Sequence, residues 1–137
     1  MGTILVVDDE PGVLSMTKDA LELLDHTVLT AGGGEEALSV EAKFPEPIDL
    51  LLTDIVMPGV PGPELAEQFG RRRPRTKVLY MSAFSLVDIA HHTIYIEPGV
   101  PILAKPFSVE ALGLRVRQLL TPSPFARGPA PRPAATR

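Results

Sequence analysis

Short apolar runs alternate with amphipathic stretches along most of this chain. The runs have the length and the aliphatic or β-branched composition of strands, and they cover residues 3–7, 27–31, 50–52, 77–81 and 101–104. The stretches between them place hydrophobic residues at helical spacing and predict helices over residues 11–24, 35–43, 63–72, 85–92 and 109–120. Strands that alternate with helices in this way predict a parallel sheet with right-handed crossovers and helices on both faces.

The helical periodicity also predicts which side chains face the core. They are Val13, Leu14, Thr17, Ala20, Leu21 and Leu24 in the first helix, Leu65, Ala66 and Phe69 in the third, and Val109, Leu112, Val116 and Leu119 in the last. Ser108 precedes the last helix and is predicted to be its N-cap. The basic run at 71–75 ends the third helix, where cations offset the helix dipole, so we expect it to be solvated.

The third apolar run, Leu50-Leu51-Leu52, is continuous, as is typical of a strand that is buried on both faces. The run stops at Asp54, and Pro58-Gly59 then predicts a turn. Ligands of open parallel sheets bind in the crevice at the carboxyl ends of the strands. Asp54 is therefore a candidate site residue, although an aspartate that only caps the turn fits this stretch equally well.

The composition limits the classes of protein to consider. A chain of 137 residues, 45% of them hydrophobic, is long enough for one domain with an ordinary packed core. It has no cysteine, which excludes disulfides and thiolate metal sites and agrees with a cytoplasmic location. The net charge of −4 argues against a nucleic-acid-binding surface, and no apolar run approaches the ~20 residues of a membrane span.

Residues 122–137 differ in kind from the rest of the chain. They hold five of the fifteen prolines, three arginines and no acidic residue. Proline at this density does not support a helix or a central strand. We therefore expect one folded domain over residues 1–121, followed by a disordered tail or a truncated linker.

Polar side chains that suit phosphoryl chemistry follow four of the five predicted strands. Asp8 and Asp9 follow the first strand, Asp54 the third, Ser82 the fourth and Lys105 the fifth. In a parallel sheet these ends share one edge, and neighbouring strands lie only ~5 Å apart. Crowded carboxylates repel one another unless a cation lies among them, and carboxylate oxygens with water suit Mg²⁺. A carboxylate beside Mg²⁺, a lysine and a hydroxyl predicts phosphoryl transfer through an aspartyl phosphate.

Four motifs around these residues make the chain resemble the receiver domain of two-component response regulators. They are Val-Val-Asp-Asp-Glu at 6–10, Leu-Thr-Asp-Ile-Val-Met-Pro-Gly at 52–59, Tyr-Met-Ser-Ala at 80–83 and Lys-Pro-Phe at 105–107. The resemblance covers residues 3–120, and the combination of motifs makes it specific. It implies a flavodoxin-like, doubly wound (βα)5 fold of the α/β class, with a five-stranded parallel sheet in the order 2-1-3-4-5.

The resemblance implies a magnesium site among the acidic residues. In this family pattern Asp54 is the phosphate acceptor. Asp54 also binds Mg²⁺ directly, together with Asp9 and the backbone carbonyl of Val56, whereas Asp8 assists through water. We therefore expect Mg²⁺ to be the cofactor of this domain.

The resemblance also implies how the phosphoryl group is held and where it comes from. Ser82 and Lys105 hold the group, and the peptide bond between Lys105 and Pro106 is cis. The donor is the phosphohistidine of a sensor histidine kinase or of a histidine phosphotransfer domain. Residues 78–85 are most similar to receivers appended to hybrid histidine kinases. The domain is then a signalling module rather than an enzyme, it is compatible with a homodimer, and we expect neither nucleic-acid binding nor membrane insertion.

Three positions bear on how this chain would work within the family pattern. Ile102 stands three residues before Lys105, where receivers usually carry a Phe or Tyr ring that reorients on phosphorylation, so the usual aromatic readout is left open. Val56 and Phe84 occupy two positions at which polar or acidic side chains orient the hydrolytic water. Because both residues are apolar, we expect the phosphorylated state to be long-lived.

Two other functions share parts of this pattern. A phosphohydrolase of the haloacid-dehalogenase type carries Asp-x-Asp after its first strand and a cap domain, whereas this chain has Asp8-Asp9-Glu10 and no length for a cap. A flavin- or mononucleotide-binding domain needs a phosphate-cradling loop after the first strand, where Asp8 and Asp9 would repel the phosphate. Addition of one stable phosphate at Asp54, without turnover of many substrates, would distinguish a receiver from the hydrolase.

Overall fold

Five parallel strands make up one sheet in the computed structural model, which describes residues 2–83, 94, 96 and 99–121. The strands are β1 (Thr3–Val7), β2 (Thr27–Ala31), β3 (Leu50–Asp54), β4 (Lys77–Ser82) and β5 (Ile102–Ala104). The described helices are α1 (Pro11–Leu23), α2 (Gly34–Lys43), α3 (Gly62–Arg72) and α4 (Val109–Leu120). The strand order is β2-β1-β3-β4-β5, and every neighbouring pair is parallel. The predicted flavodoxin-like fold is confirmed.

Most predicted elements are present, with ends that differ by one or two residues. Asp54 and Ser82 are the last residues of β3 and β4, not the residues that follow these strands. The predicted N-cap is confirmed, because the Ser108 hydroxyl accepts a hydrogen bond of 3.0 Å from the backbone N–H of Ala111. The helix predicted over 85–92 and the tail predicted at 122–137 lie outside the described residues.

The two central strands explain why the apolar runs are continuous. Side chains of β1 and β3 alternate between two apolar clusters, one on each face of the sheet. Ile4, Val6, Leu50 and Leu52 pack with α1 and α4, and Leu5, Val7 and Leu51 pack with α2 and α3. A strand that is buried on both faces favours apolar residues on both faces, so its sequence is a continuous apolar run.

Two residues predicted to face the core are exposed instead. Leu24 is 41% exposed because α1 ends at Leu23, so Leu24 lies beyond the helix and leaves its apolar face. Val109 is 47% exposed because it is the first residue of α4, where the helix extends past the edge of the core. The predicted core positions Thr17, Ala20, Leu21, Leu65, Phe69, Leu112 and Val116 are buried.

The basic run at the end of α3 contains one residue that is not solvated, contrary to the prediction. Arg73 is only 17% exposed, and its Nε donates to Glu41 at 2.9 Å. Its two terminal nitrogens donate to the backbone carbonyls of Glu41, Phe44 and Glu46. Arg73 therefore fastens the end of α2 and the following loop to the end of α3 through a planar fork of donors. Arg72 forms a second ion pair with Glu41, at 2.8 Å.

Replacing Arg73 with lysine should destabilise the fold, because lysine keeps the charge but loses the fork of donors. We expect the free energy of unfolding to fall by about 1.5–3 kcal/mol, the range for hydrogen bonds to charged groups. Arg71→Lys is the matched control, because Arg71 is 71% exposed and pairs only with the exposed Glu67 in the described part of the chain. Equal denaturation midpoints for the two variants would contradict the assigned role.

Candidate functional site

The carboxyl ends of the strands bring the predicted site residues to one edge of the sheet. Asp8 and Asp9 follow β1 directly, and Lys105 follows β5. The parallel register places Asp54 beside Met81 and Ser82 beside Ala104, so these ends are level across the sheet. Backbone hydrogen bonds continue the register past the strands, from Ile55 N–H to the Met81 carbonyl at 3.1 Å and from Lys105 N–H to the Ser82 carbonyl at 2.8 Å.

The ammonium group of Lys105 bridges two aspartates at this edge. Its Nζ lies 2.7 Å from Asp8 Oδ2 and 3.1 Å from Asp54 Oδ2. The side chains of all three residues are largely buried, with exposures of 11% for Lys105, 0% for Asp8 and 10% for Asp54. The long lysine side chain thus reaches from β5 across β4 to the two central strands. The peptide bond between Lys105 and Pro106 is cis, as predicted.

Three carboxylates lie close enough together to share one cation. Oxygens of Asp8, Asp9 and Asp54 lie within 4.8 Å of one another, in a group found among the described residues. Asp8 also accepts a hydrogen bond of 2.9 Å from the backbone N–H of Glu10, which fixes the orientation of its carboxylate. Mg²⁺ takes oxygen ligands, uses only a few from the protein and keeps several waters. This donor set fits Mg²⁺, and Asp9, which is exposed, leaves one side of the cluster open to water.

Burial and the neighbouring charges shift the pKa values of Asp54 and Lys105. Burial raises the pKa of Asp54, the charge of Asp8 raises it further, and Lys105 only partly offsets this increase. Burial lowers the pKa of Lys105, but its hydrogen bond to Asp8 and the charge of Asp54 outweigh burial and raise it. Lys105 therefore stays cationic, whereas the Asp54 carboxylate is held in an environment that favours an additional cation.

Asp54 opens onto a pocket from which a small molecule can reach its carboxylate. The pocket has a volume of about 530 Å³, and Asp9, Asp54, Val56 and Lys105 are among the residues that line it. Val56 is half-buried at its wall. The fully buried Asp8 does not line the pocket, and Ser82 is buried at the end of β4. Phe84, predicted to shield the phosphoryl group, lies outside the described residues.

Ile102 belongs to an apolar cluster beside the site. It is the half-buried first residue of β5 and packs near Ile55 and Tyr80, with Ile94 and Val100 also in the cluster. The position that carries an aromatic ring in the family pattern is thus filled by a branched side chain in apolar surroundings. Ile102 is thus part of the apolar packing around Ile55, the residue that follows Asp54.

Gly62 supports the site, although the sequence analysis did not identify it. Its N–H donates to the Ile55 carbonyl at 2.8 Å, so the start of α3 lies directly against the loop after Asp54. A Cβ atom at this position would overlap the Asp54 carbonyl oxygen and lie 3.0 Å from Ile55 Cα. The segment Pro61-Gly62-Pro63 could have indicated this contact from the sequence, because proline on both sides of a glycine is typical of a constrained turn.

The fold and the site together define a flavodoxin-like domain with an acidic, lysine-bridged cluster suited to Mg²⁺ and phosphoryl chemistry. The sequence profile of the response regulator receiver domain matches residues 4–117. This chain therefore belongs to the receiver domain family of two-component systems, whose members are signalling domains phosphorylated on an aspartate. None of the described helices is long and apolar enough to cross a membrane.

Similar proteins agree with this assignment. The sensor kinase CckA of Brucella abortus is 30% identical over 118 residues, which are 86% of this chain and 12% of that protein. The crystal structure of the receiver domain from the hybrid histidine kinase CckA is 34% identical, with a TM-score of 0.74 and coverage of 88% of this chain and all of that one. The response regulator TrrA of Thermotoga maritima in complex with Mg²⁺ and BeF is 32% identical, with a TM-score of 0.69 and the same coverage.

The matched region is only part of the curated relatives. The chain spans 12% of the length of the Brucella sensor kinase and about half the length of two mycobacterial transcriptional regulatory proteins. These relatives therefore support the identity of the domain, and they do not define the activity of the rest of any larger protein.

Replacing Gly62 with alanine should destabilise the domain, because the new methyl group collides with backbone that cannot rotate away. We expect a loss of about 1–3 kcal/mol in the free energy of unfolding, as for other overpacked sites. Gly70→Ala is the matched control in the same helix, since nothing lies within 4 Å of a Cβ there. Alanine at this position should be neutral or stabilising by up to about 1 kcal/mol. A Gly62→Ala variant as stable as Gly70→Ala would refute the close contact.

Proposed function

We propose that Asp54 is the phosphoryl acceptor of this receiver domain and that Mg²⁺ and Lys105 make the transfer possible. The single observation that carries the proposal is the ammonium group of Lys105, which lies 3.1 Å from an Asp54 carboxylate that opens onto a pocket. Asp8 is fully buried and Asp9 is exposed, so Asp54 best combines access with a fixed cationic partner. A nucleophilic carboxylate of this kind forms a covalent acyl phosphate.

The transfer step follows from the positions of these groups. An Asp54 carboxylate oxygen attacks the phosphorus of a phosphohistidine, and the bond from phosphorus to the imidazole nitrogen breaks. The electron pair of that bond stays on the imidazole. Lys105 is already within hydrogen-bond distance of Asp54, so its ammonium group can pair with a phosphoryl oxygen once the group has arrived. We assign Ser82, at the neighbouring strand end, as the second residue that holds the phosphoryl group.

The proposed metal ligands are the side chains of Asp9 and Asp54 and the backbone carbonyl of Val56, with Asp8 acting through water. The support is the separation of the carboxylate oxygens and the position of Val56 in the pocket wall. Bound Mg²⁺ would supply positive charge that offsets the repulsion between the acidic cluster and an incoming phosphoryl group. The similar TrrA structure contains Mg²⁺ and BeF, which supports this ligand chemistry for the present chain.

We also propose the wider setting of the domain. The donor is a sensor histidine kinase or a histidine phosphotransfer domain, and the domain catalyses only its own phosphorylation and dephosphorylation. The similarity to a sensor kinase and to a receiver from a hybrid histidine kinase supports this kind of partner. We also propose that the domain lies in the cytoplasm and does not bind nucleic acid directly.

Asp54→Asn should abolish phosphorylation, because the amide is not a nucleophile. We expect no mass increase with acetyl phosphate and Mg²⁺, whereas wild type should gain one phosphoryl group, as measured by intact-protein mass spectrometry. Asp25→Asn is the control, since Asp25 is exposed, lies outside the site and has φ 70°, a conformation that asparagine tolerates. Phosphorylation of Asp54→Asn at the wild-type level would disprove the assignment of the acceptor.

Phosphorylation should require Mg²⁺, and removal of the metal with excess chelator should stop it. Asp9→Asn should weaken Mg²⁺ binding by about tenfold or more, because it removes a charged oxygen ligand. The neighbouring Glu10→Gln variant removes the same charge from the pocket wall without removing a proposed ligand, so its affinity should stay close to wild type. Titration calorimetry measures both affinities. If Mg²⁺ binding were weakened equally in the two variants, Asp9 would act only through its charge and would not be a metal ligand.

The phosphoryl group on Asp54 should be lost slowly, because the side chains of Val56 and Phe84 have no polar atom to orient a hydrolytic water. The double variant Val56→Asn with Phe84→Glu should lose its phosphate faster, by up to about 100-fold. The apolar pair Val56→Leu with Phe84→Leu is the control for altered shape. The measurement is the first-order loss of label after the donor is removed, with Mg²⁺ present. Unchanged decay in the polar variant would show that these side chains do not shield the group.

A further inference from the structure

Thr53 places a hydroxyl group in the core directly before Asp54. It is fully buried in β3, in register with Val7 of β1 on one side and Tyr80 of β4 on the other. Valine has nearly the same shape without the polar atom, and a buried hydroxyl costs free energy unless it forms a hydrogen bond. A hydroxyl at this position therefore needs a partner inside the fold.

The partner is the backbone of Asp54 itself. The Thr53 hydroxyl donates a buried hydrogen bond of 2.9 Å to the Asp54 carbonyl oxygen. Gly62 lies against the same oxygen, since a Cβ atom on Gly62 would overlap it. The start of α3 thus occupies space in which a water molecule would otherwise bind this oxygen. Removing the hydroxyl would leave the Asp54 carbonyl short of a hydrogen bond in the core.

The hydrogen bond of Thr53 is the first of a series that fixes the backbone after Asp54. The peptide unit between Asp54 and Ile55 is held at its carbonyl by Thr53 and at its N–H by the Met81 carbonyl, at 3.1 Å. The next carbonyl, that of Ile55, accepts a hydrogen bond of 2.8 Å from the Gly62 N–H. Two successive peptide units therefore have a set orientation before the chain reaches the wall of the pocket.

This anchored segment separates two of the proposed metal ligands. One is the Asp54 carboxylate and the other is the Val56 carbonyl, so their relative position depends on the peptide units between them. Mg²⁺ demands a near-octahedral arrangement of its ligands and tolerates little displacement. Hydrogen bonds behind the ligands set such an arrangement, and the loss of one typically weakens metal binding by about 10–100-fold.

We propose that Thr53 is a positioning residue for metal binding: its buried hydroxyl holds the Asp54 carbonyl and thereby sets the Asp54 carboxylate and the Val56 carbonyl relative to each other. Thr53 acts through the backbone and is not itself a ligand. The inference rests on the proposed function, because it takes these two groups as ligands of Mg²⁺. It adds a requirement that the polar residues at the strand ends do not include, a hydroxyl donor one residue before the acceptor.

Replacing Thr53 with valine tests the inference, because valine keeps the shape and removes the hydroxyl. We expect the dissociation constant for Mg²⁺, measured by titration calorimetry, to rise by about 10–100-fold. Thr53→Ser keeps the donor and should bind Mg²⁺ almost as tightly as wild type. Thr53→Ala differs from Thr53→Ser only in the hydroxyl oxygen, so this second pair isolates the hydrogen bond even if Thr53→Val does not fold.

Thr76→Val is the matched control, because the Thr76 hydroxyl also donates to a backbone carbonyl, that of Ile48, at 2.6 Å. Thr76 directly precedes Lys77, the first residue of β4, and so lies at the opposite edge of the sheet from the aspartate cluster. Thermal melts should show lower stability for both valine variants, whereas the Mg²⁺ affinity should fall only for Thr53→Val.

Three results would overturn the inference. They are a wild-type Mg²⁺ affinity in Thr53→Val, equal affinities of Thr53→Ser and Thr53→Ala, and equal weakening in Thr76→Val. In each case, a wild-type chain that binds Mg²⁺ and takes up one phosphoryl group from acetyl phosphate would leave the proposed function intact. A wild-type chain that does neither would overturn the proposed function and this inference with it.

Discussion

The repulsion among three carboxylates at one edge of the sheet is the constraint on which the rest of the site depends. The parallel register of β1 and β3 leaves Asp8 and Asp54 little freedom to move apart, because both follow fully buried strand residues. Burial also strengthens their interaction, since the low dielectric of the interior weakens screening. The ammonium group of Lys105 therefore has to reach both aspartates, and its position 2.7 Å and 3.1 Å from their oxygens meets that requirement.

Lys105 balances only part of the charge. When all three carboxylates are ionised, they carry three negative charges against the one positive charge of Lys105, which leaves two negative charges at the edge. One divalent cation would neutralise that remainder. Burial and the neighbouring Asp8 raise the pKa of Asp54, because Lys105 and the backbone N–H of Ile55 offset them only in part. A phosphoryl group would bring more negative charge, and the same arithmetic supports the proposal that it is held where a cation and Lys105 meet.

The sequence predicted the sheet and the aspartate cluster because both are encoded in short segments. An apolar run such as Leu50-Leu51-Leu52 indicates a strand that is buried on both faces. In a parallel sheet, the residues at the carboxyl ends of such strands are neighbours. Contacts between distant segments could not be predicted in this way. The sequence predicted that Arg73 is solvated, but its side chain binds the backbone carbonyl of Glu46, which lies 27 residues away in the chain. The close approach of Gly62 to Asp54 likewise depends on how α3 packs on the sheet.

A short link joins Lys105 to α4. Only Pro106, Phe107 and the N-cap Ser108 separate Lys105 from α4, and Phe107 packs against the core beneath that helix. The backbone of Lys105 is held by the Ser82 carbonyl at 2.8 Å, whereas its ammonium group lies at the end of a flexible four-carbon chain. Under the proposed function, Lys105 would exchange a carboxylate for a phosphoryl oxygen by rotating its side chain while its backbone stays in place.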